Sequence, residues 1–293
     1  MAWRVFGRKR TVAAGASVAV RAEDQLRRRI QRCVDTEDAS QALGTAALAE
    51  VSAVLDDVAA AAVGDGSSLD ARAINDVALL HRLRVIGLHG SFEDRHACGA
   101  AQVLAHAIEP AAVPPDVRDE VAEAVSHGAP TDLPTAVLRV LQGNASAVRA
   151  AWRRQPDPQL ADLLVHAFQR LIEMSDPISP AHPTRLLDLA ATLSGRYDYL
   201  RPGGDLADLD EAIRITDEVI AASTDDAALL IRAHKLRGPM LADRDETNPG
   251  STDLAEAVVS FRALVDLTDP ADPQHADLVR RLSHAQVLLS ELS

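Results

Sequence analysis

Apolar residues recur at a constant spacing in the second half of the chain. Leu164, Leu209 and Leu254 lie 45 residues apart, and four neighbouring positions repeat with them. We call each set of residues at this 45-residue spacing a column, and the other four columns are Ala167/Ala212/Ala257, Phe168/Ile213/Val258, Leu171/Thr216/Phe261 and Met174/Val219/Leu264. A fixed period of this size is typical of an array in which each unit is one supersecondary motif. We therefore expect three copies of an apolar helix within the stretch 159–293.

A second apolar stripe lies between these copies. Leu186, Ala190, Leu193 and Tyr197 fall at positions 0, 4, 7 and 11 of a common spacing, which places them on one helix face over three turns. The same spacing recurs in Leu229/Ala233/Leu236/Met240 and in Leu278/Leu282/Ala285/Leu289. Each unit is thus predicted to be a pair of helices that buries its two stripes by stacking on the next pair.

Acidic residues recur with the first pattern and are interpreted as helix starts. Asp208 is followed three residues later by Glu211, and Asp253 is followed in the same way by Glu256. An N-cap aspartate with a glutamate three residues on resembles a capping box, whose side chains bind the free backbone N–H groups of a helix start. Pro239 is predicted to kink or shorten its helix, because proline interrupts the backbone hydrogen-bond ladder.

The first half of the chain carries less regular helical patterns. Predicted helices cover 21–34, 40–63, 69–88, 116–126, 133–141 and 145–153, and a further one begins at a Ser91 cap and ends near 108. The breaks between them are assigned to Pro110, Pro114, Pro115 and the Gly143-Asn144 pair. The predicted domains are a basic flexible tail at 1–20, an N-terminal helical domain at 21–143, and a repeat domain with a C-terminal capping helix at 144–293.

The composition supports an all-α fold. Alanine and leucine, which are strong helix formers, are abundant, whereas aromatic residues make up only 3% of the chain. All but two of the 30 basic residues are arginine, and this bias toward Arg, Ala and Asp indicates a GC-rich, actinobacterial genome. The formal net charge of −13 argues against nucleic-acid binding by the body of the protein. The basic tail is a candidate membrane or partner anchor, but a disordered solubilising end is the favoured interpretation.

The cysteines and the hydropathy predict a cytoplasmic protein. Cys33 and Cys98 form no C-x-x-C motif, and a chain without a disulfide framework fits a reducing compartment. No run approaches the roughly 20 apolar residues that span a bilayer, so no stable membrane insertion is expected.

The sequence carries none of the common catalytic or cofactor motifs. The densest group of candidate metal ligands comprises His81, His89, Asp94, His96, Cys98 and His106. Metal sites on a helix need ligands three or four residues apart, and no two of these histidines have that spacing. We therefore predict no catalytic, cofactor or metal residues and no enzymatic activity. A metal-dependent hydrolase is the distant alternative, which a deep polar pocket joining His81, His96 and Cys98 would favour.

One stretch carries a family resemblance. The residues 204–213, Gly-Asp-Leu-Ala-Asp-Leu-Asp-Glu-Ala-Ile, resemble a spelling found in the long tetratricopeptide (TPR) variants of actinobacterial proteins with a CHAT caspase-like protease domain. The small residue of such repeats maps onto Ala167, Ala212 and Ala257, and the later aromatic onto Phe261. The period of 45 is longer than the usual TPR period of roughly 34 residues. The resemblance implies an α-solenoid of TPR-like helical hairpins preceded by an irregular helical domain. It carries over no catalytic residue, because the protease motifs are not in this sequence.

The resemblance also implies where a partner binds. The first helix of each TPR pair lines the concave face, and in this chain those helices hold the predicted partner-binding residues Arg185, Arg196, Arg232, Lys235, Arg237, Arg280, Arg281 and His284. Such a face suits an acidic peptide or protein segment. The alternative is that these residues form solvated helix faces with intrahelical ion pairs.

The predicted function is therefore a protein-protein interaction scaffold or adaptor that binds a partner segment on the concave face of the array. The alternative is a regulatory or sensor component of a CHAT-type protease or conflict system, acting with a separate effector. An oligomer is left open. No nucleic acid and no cofactor is expected.

Overall fold

The computed structural model describes residues 21–63, 69–128, 132–200, 206–248 and 252–291. Within these ranges the chain forms twelve α-helices, two short 3₁₀ helices and no strand, which confirms the all-α prediction. The α-helices are α1 (Ala22–Thr36), α2 (Thr45–Val63), α3 (Ala71–Gly87), α4 (Phe92–Ile108), α5 (Pro115–Ser126), α6 (Leu133–Arg154), α7 (Pro158–Glu173), α8 (His182–Leu200), α9 (Leu206–Ala222), α10 (Ala227–Thr247), α11 (Asp253–Leu267) and α12 (His275–Glu291). The 3₁₀ helices are Ala39–Ala42 and Pro110–Ala112. The predicted tail at 1–20 lies outside the described residues.

Short polar side chains fix several helix starts. The carboxylate of Asp70 accepts the backbone N–H groups of Arg72 and Ala73 at the start of α3. The Ser91 hydroxyl accepts the Asp94 N–H at 3.3 Å, which confirms the predicted cap of α4. Each of these bonds satisfies a backbone donor that has no partner inside the helix.

The helices of the first half pack around α2 and α3. Helix α2 contacts α1, α3, α6 and α7, while α3 and α4 form one of the closest helix pairs. Leu26, Leu48, Leu55, Ile74 and Leu80 are at most 1% exposed and form the centre of this part of the core. Helix α5 packs on the outer side of α4. Because α2 reaches α6 and α7, one apolar core continues into the second half.

From α6 onward each helix packs against the next one in the chain, and α8 also contacts α10. The column Leu164, Leu209 and Leu254 lies in α7, α9 and α11, where its members are 1%, 0% and 4% exposed. The main core cluster extends from Leu26 to Ala285, and a smaller one comprises Leu187, Val219 and Ala233. The 45-residue spacing therefore matches equivalent buried positions on alternate helices. No helix of the described ranges is both long and apolar enough to cross a membrane.

The break predicted at Gly143-Asn144 is wrong, because α6 runs without interruption from Leu133 to Arg154. Gly143 lies against α4, where an added Cβ would be 2.8 Å from the Cα of Ala97. The Asn144 amide donates to the Ser52 hydroxyl of α2 at 3.3 Å. Both residues thus serve contacts between helices. The predicted domain boundary at 143/144 falls inside α6 and stays a prediction.

The single helix predicted over 40–63 is divided in the structure. The 3₁₀ turn Ala39–Ala42 precedes α2, which begins only at Thr45. Arg84 donates to the carbonyl oxygens of Ala42 and Leu43 at 2.9 and 3.1 Å. These two oxygens lie at the division, so a side chain from α3 supplies the hydrogen bonds there.

The N-cap prediction for the repeat helices is also corrected, and so is part of the prediction for Pro239. Pro239 does not shorten its helix, since α10 continues from Ala227 to Thr247 around it, and the kink stays a prediction. Asp208 and Asp253 are not N-caps. Asp208 lies inside the first turn of α9, and Asp253 is the first residue of α11 with Thr252 at the N-cap. Their carboxylates bind arginine side chains.

Candidate functional site

Arg196, one of the predicted partner-binding residues, is fully engaged in ion pairs. Its Nε and Nη2 donate to the two carboxylate oxygens of Asp208 at 2.8 and 2.6 Å. Its Nη1 donates to Asp162 at 2.7 Å. The side chain thereby connects α7, α8 and α9. Its hydrogen bond with Asp208 raises the pKa of Arg196 despite partial burial.

The same arrangement recurs one unit later. Arg244 near the end of α10 donates to both oxygens of Asp253 at 2.8 and 2.7 Å and to Asp210 at 2.7 Å. These bonds raise the pKa of Arg244, with the hydrogen bond to Asp253 as the largest cause. The recurring aspartates are thus explained by an arginine clamp across three helices. Arg244 was not among the predicted partner-binding residues. The sequence nevertheless has an arginine before each recurring aspartate, Arg196 before Asp208 and Arg244 before Asp253.

Most of the other predicted cations also have partners. Arg232 pairs with Asp188, Arg237 with Asp217 and Glu256, and Lys235 donates to the Gln274 amide oxygen. Arg280 and Arg281 both pair with Asp277 on their own helix at 2.9 Å. An acidic peptide at these four arginines would compete with carboxylates that are already in place.

Three members of the predicted set have no ion-pair partner among the described residues, and one of them is Lys235, whose partner is a neutral amide. Arg185 is half-buried in α8, and burial lowers the pKa of its guanidinium. His284 is exposed on α12. The structure thus gathers no cluster of free cations from the eight residues, and their role in partner binding stays a prediction.

The histidine group predicted as a remote metal alternative is dispersed. His81 is completely buried, with its Nδ1 2.8 Å from the Asp94 carboxylate, which also accepts the Arg84 Nε at 2.7 Å. Burial lowers the pKa of His81, and it raises the pKa of the Cys98 thiol to about 11. No three His, Cys, Asp or Glu side chains of the described part are placed to hold a metal ion.

The Asp94 carboxylate stays ionised inside this buried group. Burial alone would raise its pKa, but the hydrogen bond with His81 and the charge of Arg84 outweigh burial and lower the pKa. Sequence analysis placed His81 and Asp94 in one group but missed Arg84. A polar pocket joining His81, His96 and Cys98, which would favour the metal-hydrolase alternative, is not formed, because the His81 side chain has no exposed surface.

A large concave surface lies between α4, α5 and α6 and has a volume of about 960 Å³. We call it the α4–α6 cleft. Its lining is mostly apolar, and small residues form much of it: Gly99, Ala100, Ala124, Ala136 and Gly143. Val103 and Val121 add larger apolar surface. A Cβ added at Gly99 would meet no atom within 4 Å, so this glycine leaves the cleft open.

Charged and aromatic side chains surround the cleft. Arg95 and Arg139 are exposed and have no carboxylate partner among the described residues, while Glu93 and Glu120 are the acids of the lining. Phe92 is 69% exposed at the start of α4. Its ring meets the His96 ring edge-on with centroids 4.4 Å apart. An exposed phenylalanine beside an apolar cleft is typical of a contact surface for another molecule.

A smaller cavity of about 410 Å³ adjoins the cleft at Glu93 and Ser146. Its other lining residues are Arg149, Ala150, Arg153 and Arg154. We call it the arginine recess. Neither the cleft nor the recess was predicted from the sequence. The α6 residues of the recess share one helix face, but the packing of α5 and α6 against α4 that forms the two cavities is not determined by that spacing.

The fold and these two cavities are the grounds for a functional assignment. Comparison with protein-family models, with curated proteins and with solved structures gives no match.

Proposed function

We propose that this protein is a helical interaction protein that binds a partner polypeptide segment in the α4–α6 cleft. The observation that carries the proposal is the cleft itself, a groove whose exposed surface is mostly apolar and whose lining includes several small residues. Such grooves accept the apolar face of a peptide or helix. The proposal includes a cytoplasmic, non-enzymatic role, as expected from the sequence.

The dimensions of the cleft favour a polypeptide segment. The lining residues extend from Phe92 to Val103 along α4 and from Ala136 to Ser146 along α6. Each stretch corresponds to about 15 Å, or three helical turns. A partner helix of that length presents anchors at i, i+3 or i+4, and i+7, which matches one apolar groove.

The array from α6 to α12 completes the proposed architecture. We place these helices in an α-solenoid with TPR-like character, supported by the packing of consecutive helices and by the two arginine clamps. The basic residues of α8 and α10 mainly bind acidic residues of neighbouring helices and so hold this array together. The partner is therefore assigned to the cleft and not to the predicted concave face.

A substitution at Gly99 tests the proposal without removing any contact. Gly99→Leu adds a side chain that fills the cleft from α4, and it raises helix propensity. Gly44→Leu is the matched control, since a Cβ at Gly44 also meets no atom within 4 Å and Gly44 does not line the cleft. A displayed library of random peptides is selected on the wild-type chain, and the affinities of the selected peptides are measured for all three proteins.

Peptides that lose at least tenfold in affinity for Gly99→Leu and keep it for Gly44→Leu would support the proposal. If no peptide is selected, or if every selected peptide binds Gly99→Leu as well as wild type, the cleft is not the binding site. Thermal unfolding of each variant establishes that the comparison is made between folded proteins.

A further inference from the structure

The arginine recess concentrates positive charge beside the cleft. Three of its six lining residues are arginines, Arg149, Arg153 and Arg154, whereas Glu93 is its one acid. Arg153 and Arg154 are exposed and have no carboxylate partner in the described ranges. Most other arginines of the second half are paired, so this pair of free guanidinium groups is a local exception.

The third arginine of the recess, Arg149, is held in position by two neighbouring side chains. Its Nη2 lies 3.1 Å from the Asp188 carboxylate, and its guanidinium carbon lies 4.5 Å from the centre of the Phe168 ring. Asp188 is shared with Arg232, which reduces the charge it can offer to Arg149. A guanidinium fixed between a carboxylate and a ring loses little entropy when it forms a further hydrogen bond.

The neighbouring polar groups offset only part of this charge, since Glu93 is the one carboxylate in the lining. Ser146 donates its hydroxyl to the Gln142 carbonyl at 2.9 Å, and Glu93 accepts a long 3.3 Å bond from Ser91. Arginines in the last turn of α6 are favoured by the helix dipole. The dipole does not account for three guanidinium groups around one cavity that opens beside an apolar groove.

We propose that the arginine recess binds carboxylate side chains at one end of the segment that occupies the cleft. The partner is then an amphipathic segment with apolar anchors followed or preceded by an acidic end. Guanidinium groups bind carboxylates through paired N–H donors, and Arg153 and Arg154 supply such donors, because neither is paired with a carboxylate of the described ranges. This inference rests on the proposed function for its partner, and it specifies the chemistry of that partner.

Four peptide pools test the inference. Each pool has peptides of about 14 residues with leucine anchors at helical spacing and random residues between them. The pools differ only at three positions at one end of the peptide. These positions are all Glu in the first pool, all Gln in the second, all Lys in the third and all phosphoserine in the fourth. Binding is measured by fluorescence anisotropy at low and high salt for wild type, for Arg153→Gln/Arg154→Gln, and for Gly99→Leu.

The control for charge is Arg280→Gln/Arg281→Gln, which removes the same two charges from exposed positions on α12. We expect the Glu pool to bind wild type at least tenfold more tightly than the Gln and Lys pools, with a preference that salt weakens. Arg153→Gln/Arg154→Gln should remove that preference, and the α12 control should keep it.

The outcomes separate the two proposals. If Glu and Lys pools bind equally, if the Glu preference survives in Arg153→Gln/Arg154→Gln, or if only phosphoserine peptides bind, the carboxylate assignment is wrong. A Glu preference that depends on Arg153 and Arg154 but is unchanged in Gly99→Leu supports the recess and contradicts the cleft. Binding lost in Gly99→Leu with no effect of the arginines supports the cleft alone.

Discussion

At the residue scale, the most unusual feature is a fully buried arginine. Arg84 is 1% exposed, and its guanidinium binds Asp94 together with two backbone carbonyls before α2. Asp94 also binds His81, which has no exposed surface. A charge in such a place is maintained only by its partners, so removing one partner leaves the other uncompensated.

We predict that Asp94→Asn lowers the free energy of unfolding by about 3 kcal/mol or more, because it leaves the Arg84 charge buried without a counter-ion. Urea denaturation followed by circular dichroism measures the change. Asp116→Asn is the matched control, since that carboxylate is 62% exposed and lies 3.4 Å from Arg82. The control should change stability by less than about 0.5 kcal/mol. Equal effects of the two substitutions would contradict the buried ion pair.

Sequence analysis could not identify Arg84 as a core residue. Arginine is mostly exposed in proteins, and its neighbours in α3 give no indication that this one differs. Its partners, Ala42, Leu43 and Asp94, come from segments on either side in the sequence. Only the packing of α3 against α4 and the 3₁₀ turn brings these groups together.

At the element scale, helix contacts decide what a glycine contributes. Gly143 in α6 and Gly99 in α4 both lie inside helices and both line the cleft. A Cβ at Gly143 would lie 2.8 Å from the Ala97 Cα, whereas a Cβ at Gly99 would meet nothing within 4 Å. The first glycine permits close approach of α4 and α6, while the second has no packing role.

The two glycines should therefore respond in opposite ways to the same substitution. Gly143→Ala is expected to destabilise the fold by about 1–3 kcal/mol, because α4 and α6 must separate. Gly99→Ala is expected to stabilise it by up to about 1 kcal/mol through helix propensity. Thermal and urea unfolding of both variants measure the changes. A stabilised Gly143→Ala variant would show that the close contact with Ala97 is not maintained in solution.

At the scale of the whole molecule, α2 connects the first half to the consecutively packed helices that begin with α6 and α7. Its Asp56 accepts hydrogen bonds from His166 at 2.8 and 2.9 Å and from Arg170 at 3.0 Å, both on α7. Thr45 at the start of α2 donates to Asp157 before α7 at 3.0 Å. These bonds fix the first helix pair of the array against the N-terminal helices.

This contact makes stability depend on pH. The hydrogen bond with Asp56 raises the pKa of His166 above 6.5, so protonated His166 stabilises the folded state. That contribution is complete below pH 6.5 and is lost as pH rises through the folded pKa. Burial alone would raise the pKa of Asp56, but the hydrogen bond with His166 lowers it, and the net effect is a lower pKa. The Asp56 carboxylate therefore stays ionised throughout this pH window.

We expect the difference in unfolding free energy between wild type and His166→Gln to be largest near pH 6 and to shrink toward pH 9. The change should be below about 1 kcal/mol, because the His166 side chain is 41% exposed and solvent screens the pair. Denaturant unfolding across this range measures it, with His284→Gln on exposed α12 as control. A difference that stays constant with pH would exclude the linkage.

The sequence by itself determined the helices and the apolar positions that they bury. Leu164, Leu209 and Leu254 are buried as their spacing predicts, and most predicted helices are present with shifted ends. Helix formation and burial of one face depend on residues three and four apart, so a local pattern suffices for both. The helix cap at Ser91 is also determined locally, since the backbone N–H that its hydroxyl accepts belongs to Asp94, three residues away.

Only the tertiary structure decided which charges are free and where the surface is concave. Arg196 and Arg153 both belong to helix patterns, yet one is clamped by two aspartates and the other faces an open recess. The Gly143-Asn144 pair has the composition of a break but lies in a continuous helix, because α4 and α2 contact it. Ion pairing, close approach and cavities depend on neighbours that are distant in the chain, and periodicity within one helix does not determine those neighbours.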